Sequence, residues 1–415
     1  MENNSGMRNV KWWEKPLALV RRPPRHERLP ERRKPARRAS KLALHAILAP
    51  VSLAGRAILL LAGRSGRLSP DGIRRIAFIK VDHLGDVLMA TPLMRALKDW
   101  APAARLTVFA RPAVRGLLSR LSYVDAVENC EVPWILPGSG SWGNLRACLG
   151  LARRLRAGRF NLVVDLRYHN RLDSLLLSLC GARARLGYDA GGFGFWITHR
   201  APLSRAGHEI ERGAAALRRF GVPVHNLGMD LPLFPSEERE ALALAGGKRP
   251  FVAIHPGAGN PVKRWMPERF AWVGRELARR ARVRIAVLAG PGEEELGGPL
   301  VRALPRAARV DLRGRLSVFE MAAVIRRAAL FIGNDGGPAH VAAAVKARSL
   351  VVFSGTSVAK DWAPPGASVI EKWVPCKPCY SSTCPYGQAC LRKAGVDEVL
   401  AGALRLLGVS RRKSH

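Results

Sequence analysis

The feature that most constrains the fold is an alternation of short apolar runs and helical periodicity that passes along the chain twice. The first pass begins after Arg74, where Ile76-Ala-Phe-Ile-Lys80 predicts a strand, then a glycine turn and a helical pattern through Trp100. Further strands are expected over 105–110, 126–132 and 160–165, with helices over 113–121 and 144–157. The pattern breaks between Asn226 and Arg249, where Pro232, Pro235, Gly246 and Gly247 cluster, and then restarts. The second pass predicts strands over 251–255, 284–289, 330–334 and 350–353, a helix over 267–280, and a closing helix over 396–407. Strands alternating with helices argue for parallel sheets covered on both faces. The expected fold is therefore α/β: two doubly wound, Rossmann-like domains facing across a cleft. Ligands in such sheets bind at the carboxyl ends of the strands. The boundaries read as an extension over 1–73, a first domain over 74–235, a second over 236–395, and a closing helix and tail over 396–415.

The extension is basic. From Arg8 to Lys41 it holds 13 Lys or Arg against Glu14, Glu27 and Glu31, and five prolines interrupt it. An apolar stretch from Lys41 to Gly63 follows, but His45, Pro50 and Arg56 fall inside it. A membrane span wants roughly 20 uninterrupted apolar residues, and the stretch starts late for a signal peptide. Two readings stay open: an interfacial segment beside a polybasic arm drawn to anionic lipid, or an extension whose helix packs on the body. Over the whole chain, 68 Lys and Arg stand against 32 Asp and Glu, a formal charge of +36. Two readings of that excess stay open: a polyanionic partner, whether nucleic acid, an acidic membrane surface or phosphorylated substrates, or an Arg-rich solvated surface. Nucleic acid is not expected, since aromatics are only 7 % and no recognition motif occurs.

Three motifs follow strand ends. Asp82-His83-Leu84-Gly85-Asp86 sits where the first strand meets its helix; by itself this reads as a helix cap, although a carboxylate there could also take a proton from a hydroxyl. His255-Pro-Gly257-Ala258-Gly259-Asn-Pro-Val-Lys263-Arg264-Trp265 opens the second half. Its small residues let backbone N–H groups approach a phosphate, and Lys263 or Arg264 would neutralise a diphosphate. Asn334-Asp335-Gly336-Gly337-Pro338-Ala339-His340 precedes another helix, whose start suits a pyrophosphate. Asp335 there suits sugar or ribose hydroxyls, and His340 taken alone reads as structural. Gly138-Ser-Gly140-Ser-Trp-Gly143 matches the dinucleotide fingerprint, but it follows Pro133-Trp-Ile-Leu-Pro137 rather than a strand and reads as a surface loop. A nicotinamide-dependent dehydrogenase is set aside on that ground.

Seven cysteines are unevenly spread, and Cys376, Cys379, Cys384 and Cys390 crowd one short segment. This is not the spread of a secreted disulfide scaffold, so a reducing cytosol is expected. The spacing fits a closed structural zinc site; disulfides or simple packing stay open.

Read together, these segments resemble glycosyltransferase family 9, the ADP-heptose:lipopolysaccharide heptosyltransferases. The resemblance runs collinearly from Ile76 to Leu407 on Ile79-Lys80 with Leu84-Gly85-Asp86 and Thr91-Pro92, His255-Pro-Gly-Ala with Lys263-Arg-Trp and Pro267-Glu-Arg-Phe270, Gly333 to His340, and Phe353-Ser-Gly-Thr356. It implies a GT-B fold with an acceptor-binding N-terminal domain and a donor-binding C-terminal domain, and an inverting transfer with no cofactor required for catalysis. No Asp-x-Asp pair occurs to hold a metal-bound diphosphate. On the resemblance, Asp86 becomes the general base and Lys263 stabilises the departing diphosphate. Gly257, Ala258, Asp335, Gly336, Gly337, His340 and Thr356 frame the donor. The implied partners are a nucleotide-diphosphate sugar, ADP-heptose, and a lipid-linked oligosaccharide acceptor, with the protein cytoplasmic and peripheral on the inner membrane face. Gly336 stands where many members have Thr or Ser, Gly257 and Ala258 also lack hydroxyls, and Met266 lengthens the Lys-Arg-Trp-Pro spacing by one. The rivals are a transferase of the same fold using another nucleotide sugar, and a non-catalytic protein that binds anionic lipid.

Overall fold

The computed structural model describes residues 67–132, 141–167, 171–189, 193–202, 207–247 and 249–409, with Pro50, Ala54 and Ala57 as isolated positions. The basic arm and the rest of its apolar stretch, with the readings placed on them, lie outside these residues. Among the described residues no helix is long and apolar enough to cross a membrane.

The first half is a six-stranded sheet of β1 (Arg75–Ile79), β2 (Arg105–Ala110), β3 (Ala126–Asn129), β4 (Leu162–Asp165), β5 (Ala184–Tyr188) and β6 (His199–Ala201), in the order β3-β2-β1-β4-β5-β6. Its longer helices are α1 (Leu84–Trp100), α2 (Ser141–Ala157), α3 (Arg171–Leu179) and α4 (Glu209–Arg219). Helix α5 (Pro235–Leu244) leads into the second half, whose strands are β7 (Phe251–His255), β8 (Arg284–Val287), β9 (Arg309–Asp311), β10 (Leu330–Asn334), β11 (Ser349–Phe353) and β12 (Ser368–Glu371). They run β12-β11-β10-β7-β8-β9, the first sheet's order repeated, and its longer helices are α6 (Pro267–Arg280), α7 (Val318–Arg327), α8 (Gly337–Ala344) and α9 (Val396–Leu406). Every described strand pairing is parallel, with Ile76 opposite both Leu106 and Leu162, and Ala253 opposite both Ala286 and Phe331.

The expected pair of doubly wound sheets is present. The expectation fell short on β5, β6, β9 and β12. Strands β6, β9 and β12 lie at sheet edges, where β6 reads His-Arg-Ala and β9 Arg-Val-Asp; an edge strand needs no continuous apolar run. The helix expected over 113–121 is a 3-10 turn at Pro112–Val114 followed by the short Arg115–Leu118.

Strand alternation divides the core. Ala77 and Ile79 face an outer cluster with Cys148, Leu155 and Leu176, and Val252 and Ile254 face another with Trp265, Phe270 and Leu400. Ile76 and Phe78 of the first sheet and Phe251 and Ala253 of the second share a single buried cluster. That cluster runs through the seam where α1 packs on α8. Burying both faces of a strand is what a helix-covered parallel sheet requires. Helix α9 packs on α6, so the closing segment is part of the second half.

Candidate active site

In both sheets the strand order reverses at the centre, between β1 and β4 and between β7 and β10, and a crevice opens at such a switch point. The loops after β1, β7 and β10 carry the motifs singled out above.

After β1, His83 rather than an aspartate occupies the N-cap of α1, without a side-chain capping bond, and Asp86 stands inside the first turn. The capping role read for the acid is therefore wrong at Asp86. A carboxylate in the first turn is favoured by the helix dipole, but here burial pushes the Asp86 pKa up. Lys80 and His83 pull it down, Asp82 and Glu209 push it up, and the net result lies above the ordinary carboxylate range. Lys80 sits 3.1 Å from Asp82. Burial works against its charge, but Asp82, Asp86 and Glu209 outweigh that and hold its pKa above the usual value. The first half thus presents a carboxylate that holds its proton more tightly than usual, which suits a base working near neutral pH.

In the second half, the Asn334 amide donates to the carbonyls of Pro256 (2.8 Å) and Gly257 (3.2 Å), and its Oδ1 accepts the Trp265 N–H at 2.9 Å. One buried side chain thereby ties the loop after β7 to the end of β10. Lys263, at the end of a 3-10 turn, points its ammonium at Asp335 Oδ2 at 2.6 Å. The Ser357 hydroxyl lies 3.4 Å from the same oxygen. Asp335, expected to meet sugar hydroxyls, already holds the lysine expected to meet phosphate. Gly336 is fully extended, and Gly337 and Pro338 begin α8 with no side-chain cap; Pro338 has no N–H and the Ala339 and His340 N–H groups donate to the Gly336 carbonyl, which leaves the N–H groups of Gly336 and Gly337 for a ligand. Ala258 lies against Gly336: a Cβ there would stand 3.8 Å from Ala258 Cβ.

The two halves meet at this point. A Cβ on Gly85 would lie 2.7 Å from His340 Cδ2, and one on Gly337 would lie 3.7 Å from Leu84. The residue before Asp86 is thus in contact with the helix that begins at Gly337. His340 is buried with its Nδ1 unpartnered, and burial drives its pKa down to about 4. His255 at the end of β7 is likewise driven by burial to about 4. Both rings are neutral at physiological pH.

The structure thus brings Gly257, Ala258, Lys263, Asp335, Gly336, Gly337 and His340 together beside the start of α1. Thr356 is buried and its hydroxyl lies 2.8 Å from that of Ser354; its neighbour Ser357 is the one that reaches Asp335. Cys376, Cys384 and Cys390 are half-buried and Cys379 is exposed, all unbridged. Among the described residues no three His, Cys, Asp or Glu side chains already surround a point that would hold a metal ion, so the cluster expected from the spacing is not preassembled. Of the glycine motif, Gly138 and Gly140 lie outside the described residues and Gly143 falls within α2. Asp165 is fully buried and binds Arg167 through Oδ1 at 2.8 Å and Oδ2 at 2.5 Å, so no ribose contact is open to it.

Sequence reasoning missed Glu293. It lies 3.7 Å from His255 and 3.5 Å from Arg264, and a Cβ on Gly257 would stand 2.3 Å from its Oε2. Burial raises its pKa although Arg264 lowers it. The Gly290-Pro-Gly292-Glu293 turn just beyond β8 was the available signal.

The family model described as glycosyltransferase family 9 (heptosyltransferase) matches residues 148–390, more than half of the chain. The chain belongs to glycosyltransferase family 9. Among curated relatives of this transferase, lipopolysaccharide heptosyltransferase 3 of Escherichia coli K12 is 27 % identical over 301 residues, 70 % of this chain and 85 % of the relative. Lipopolysaccharide heptosyltransferase 1 of Pseudomonas aeruginosa is 27 % identical over 335 residues, 75 % of this chain and 88 % of the relative. Among solved structures, the family 9 glycosyltransferase from Veillonella parvula DSM 2008 superposes with a TM-score of 0.69 at 22 % identity, covering 83 % of this chain and all of that one. E. coli ADP-heptose lps heptosyltransferase II gives 0.63 at 21 %, covering 80 % and 98 %. These superpositions place the glycosyltransferase among GT-B heptosyltransferase folds.

Proposed function

We propose that this glycosyltransferase moves a heptose from ADP-heptose, with inversion, to a hydroxyl of the lipopolysaccharide core or a related glycolipid. The observation that carries the reading is the contact of Gly85 with His340, which sets Asp86 against the glycine-rich loops of the other half. Two kinds of likeness support the choice of sugar: relatives named lipopolysaccharide heptosyltransferases, and the fold shared with E. coli heptosyltransferase WaaC, solved with ADP-2-deoxy-2-fluoro heptose at TM-score 0.59.

In this reading the acceptor hydroxyl attacks the anomeric carbon as Asp86 takes its proton, and the bond to the diphosphate breaks in line. The N–H groups of Gly336 and Gly337 and the Lys263 ammonium receive the negative charge that builds on the leaving group. Lys263 reaches it by exchanging Asp335 for phosphate, which frees the Asp335 carboxylate for sugar hydroxyls. Neutral His340 closes the wall without adding a charge beside either partner. No step calls on a metal or cofactor. The basic arm and the net charge of +36 support docking on the anionic inner face of the cytoplasmic membrane.

The test is incubation of the full chain with a heptose-deficient lipopolysaccharide core and a panel of nucleotide sugars, read by mass gain of the acceptor. Heptose addition from ADP-heptose alone is expected, and it should fall about 10²–10⁴-fold in Asp86→Asn. Transfer from a different nucleotide sugar, with none from ADP-heptose, would overturn the assignment. Sedimentation with anionic against neutral vesicles, for the full chain and one lacking residues 1–66, tests the docking.

A further inference from the structure

Helix α2 covers the first sheet on the side away from the seam. Its inward side is apolar: Cys148, Leu151, Ala152 and Leu155 are buried in the outer cluster with Ala77 and Ile79. Its outward side is of another kind. Arg146, Leu149, Arg153 and Arg156 recur at helical spacing and are all exposed, so they form one stripe. No acid occurs from Ser141 to Asn161.

Arginines on other helices are neutralised in place: Arg279 and Arg280 hold Glu276, and Arg326 and Arg327 hold Glu238. On α2 itself Arg154, off the stripe, is held by Glu128 at 3.0 Å and lies over the Phe109 ring. The three stripe arginines have no ion-pair partner among the described residues. Arg156 lays its stem against Gly181 in the turn after α3, two residues from exposed Arg183. Between these cations Leu149 keeps 36 % of its surface in water. Like charges a turn apart on a helix repel, so the stripe adds nothing to the stability of the fold. Long-stemmed cations around one leucine do suit anionic headgroups over hydrocarbon: the guanidinium meets phosphate, while the stems and the leucine meet the less polar layer beneath.

We propose that the outward stripe of α2, with Arg183 beside it, seats the first half on an anionic lipid bilayer. The proposal rests on the reading of a lipid-linked acceptor and adds to the basic arm a second contact, built into the folded domain. Strands β3, β2, β1 and β4 run parallel, so the helix that links β3 to β4 runs back against them and begins at their carboxyl edge. Asp86 follows that same edge of β1. An acceptor anchored in a bilayer along α2 has only to extend its sugars over this edge to meet the carboxylate.

The test is sedimentation of the full chain with phosphatidylcholine vesicles, with and without phosphatidylglycerol. Arg146→Gln, Arg153→Gln and Arg156→Gln together should lower partition onto the anionic vesicles about 10²-fold. Glutamine keeps helix propensity, and Tm should stay at the wild-type value. Arg302→Gln, Arg306→Gln and Arg405→Gln remove the same charge from exposed sites of the second half and should change partition little. Leu149→Gln should cost about 3-fold on vesicles and nothing on immobilised heparin, a polyanion without hydrocarbon. Equal losses from the two triple variants would overturn the proposal. So would a Leu149→Gln effect as large on heparin as on vesicles, which would hand the stripe to a soluble polyanion such as nucleic acid. Transfer to a delipidated, water-soluble core acceptor should be the same for wild type and the α2 variant, and its loss in that variant would overturn the docking role. Its absence in the wild type would count against the assigned reaction and leave the vesicle result standing.

Discussion

The two halves share one strand order, but the loops at their carboxyl ends are built from opposite materials. The first half gathers Lys80, Asp82, Asp86 and Glu209, an acid-rich group in which one carboxylate is kept unusually basic. The second half offers bare backbone and two histidines that stay neutral, and each of its acids stands beside a cation, Asp335 beside Lys263 and Glu293 beside Arg264. The topology repeats while the electrostatics divide, and the division follows what a transfer reaction needs. Removing a proton from an alcohol needs a proton acceptor; releasing a diphosphate needs donors and a cation.

The comparison breaks most visibly at Asp86. Asp86→Asn should lower kcat about 10²–10⁴-fold while circular dichroism and Tm stay near wild type; a variant that turns over normally would remove the first half's role. Because the Asp86 pKa is raised, kcat/KM of the wild type should fall with decreasing pH through an inflection above the ordinary carboxylate range. On the other side, Lys263→Ala should cost about 10²–10³-fold in kcat, and Lys263→Arg should recover part of it. Equal effects of Lys263→Ala on weak and strong leaving groups would show that the lysine does not meet the diphosphate.

The neutral histidines give a stability signature of the second half. His255 and His340 are lowered from 6.5 to about 4, so their contribution is complete above pH 6.5. It is lost as the pH falls toward 4, because the unfolded chain takes up protons that the folded one refuses. The loss is on the order of 3 kcal/mol for each ring. A His340→Gln variant should therefore show a shallower fall of Tm between pH 6.5 and 4.5; an unchanged slope would mean that the ring is not buried as described. The smallest expected effect is at the junction. Gly85→Ala sets a methyl 2.7 Å from the His340 ring and should cost about 1–3 kcal/mol in stability, with a loss of activity that Gly337→Ala, whose Cβ has ordinary contact distances, does not match.

Much of this arrangement was legible in the chain because the chemistry follows strand ends. Asp86, Lys263 and the stretch from Asp335 to His340 each come just after a recognisable apolar run. The pairing of Glu293 with His255 and the stapling role of Asn334 were not legible, since both depend on partners far along the chain, Asn334 binding Trp265 and Gly257; only the turn that carries Glu293 left a signal. The pairing of Lys263 with Asp335 was hidden for the same reason, although each residue was singled out separately. The edge strands were lost because three-residue segments such as Arg309–Asp311 hold too few residues to display a period.

The single apolar cluster that runs from Ile76 and Phe78 through the seam to Phe251 and Ala253 has a thermodynamic consequence. Neither sheet can shed its partner without baring oily surface, so the two should melt in one calorimetric transition. A chain severed near residue 248 should yield fragments that precipitate apart and recover solubility when refolded together. Any widening of the groove to admit a sugar nucleotide works against that shared apolar surface.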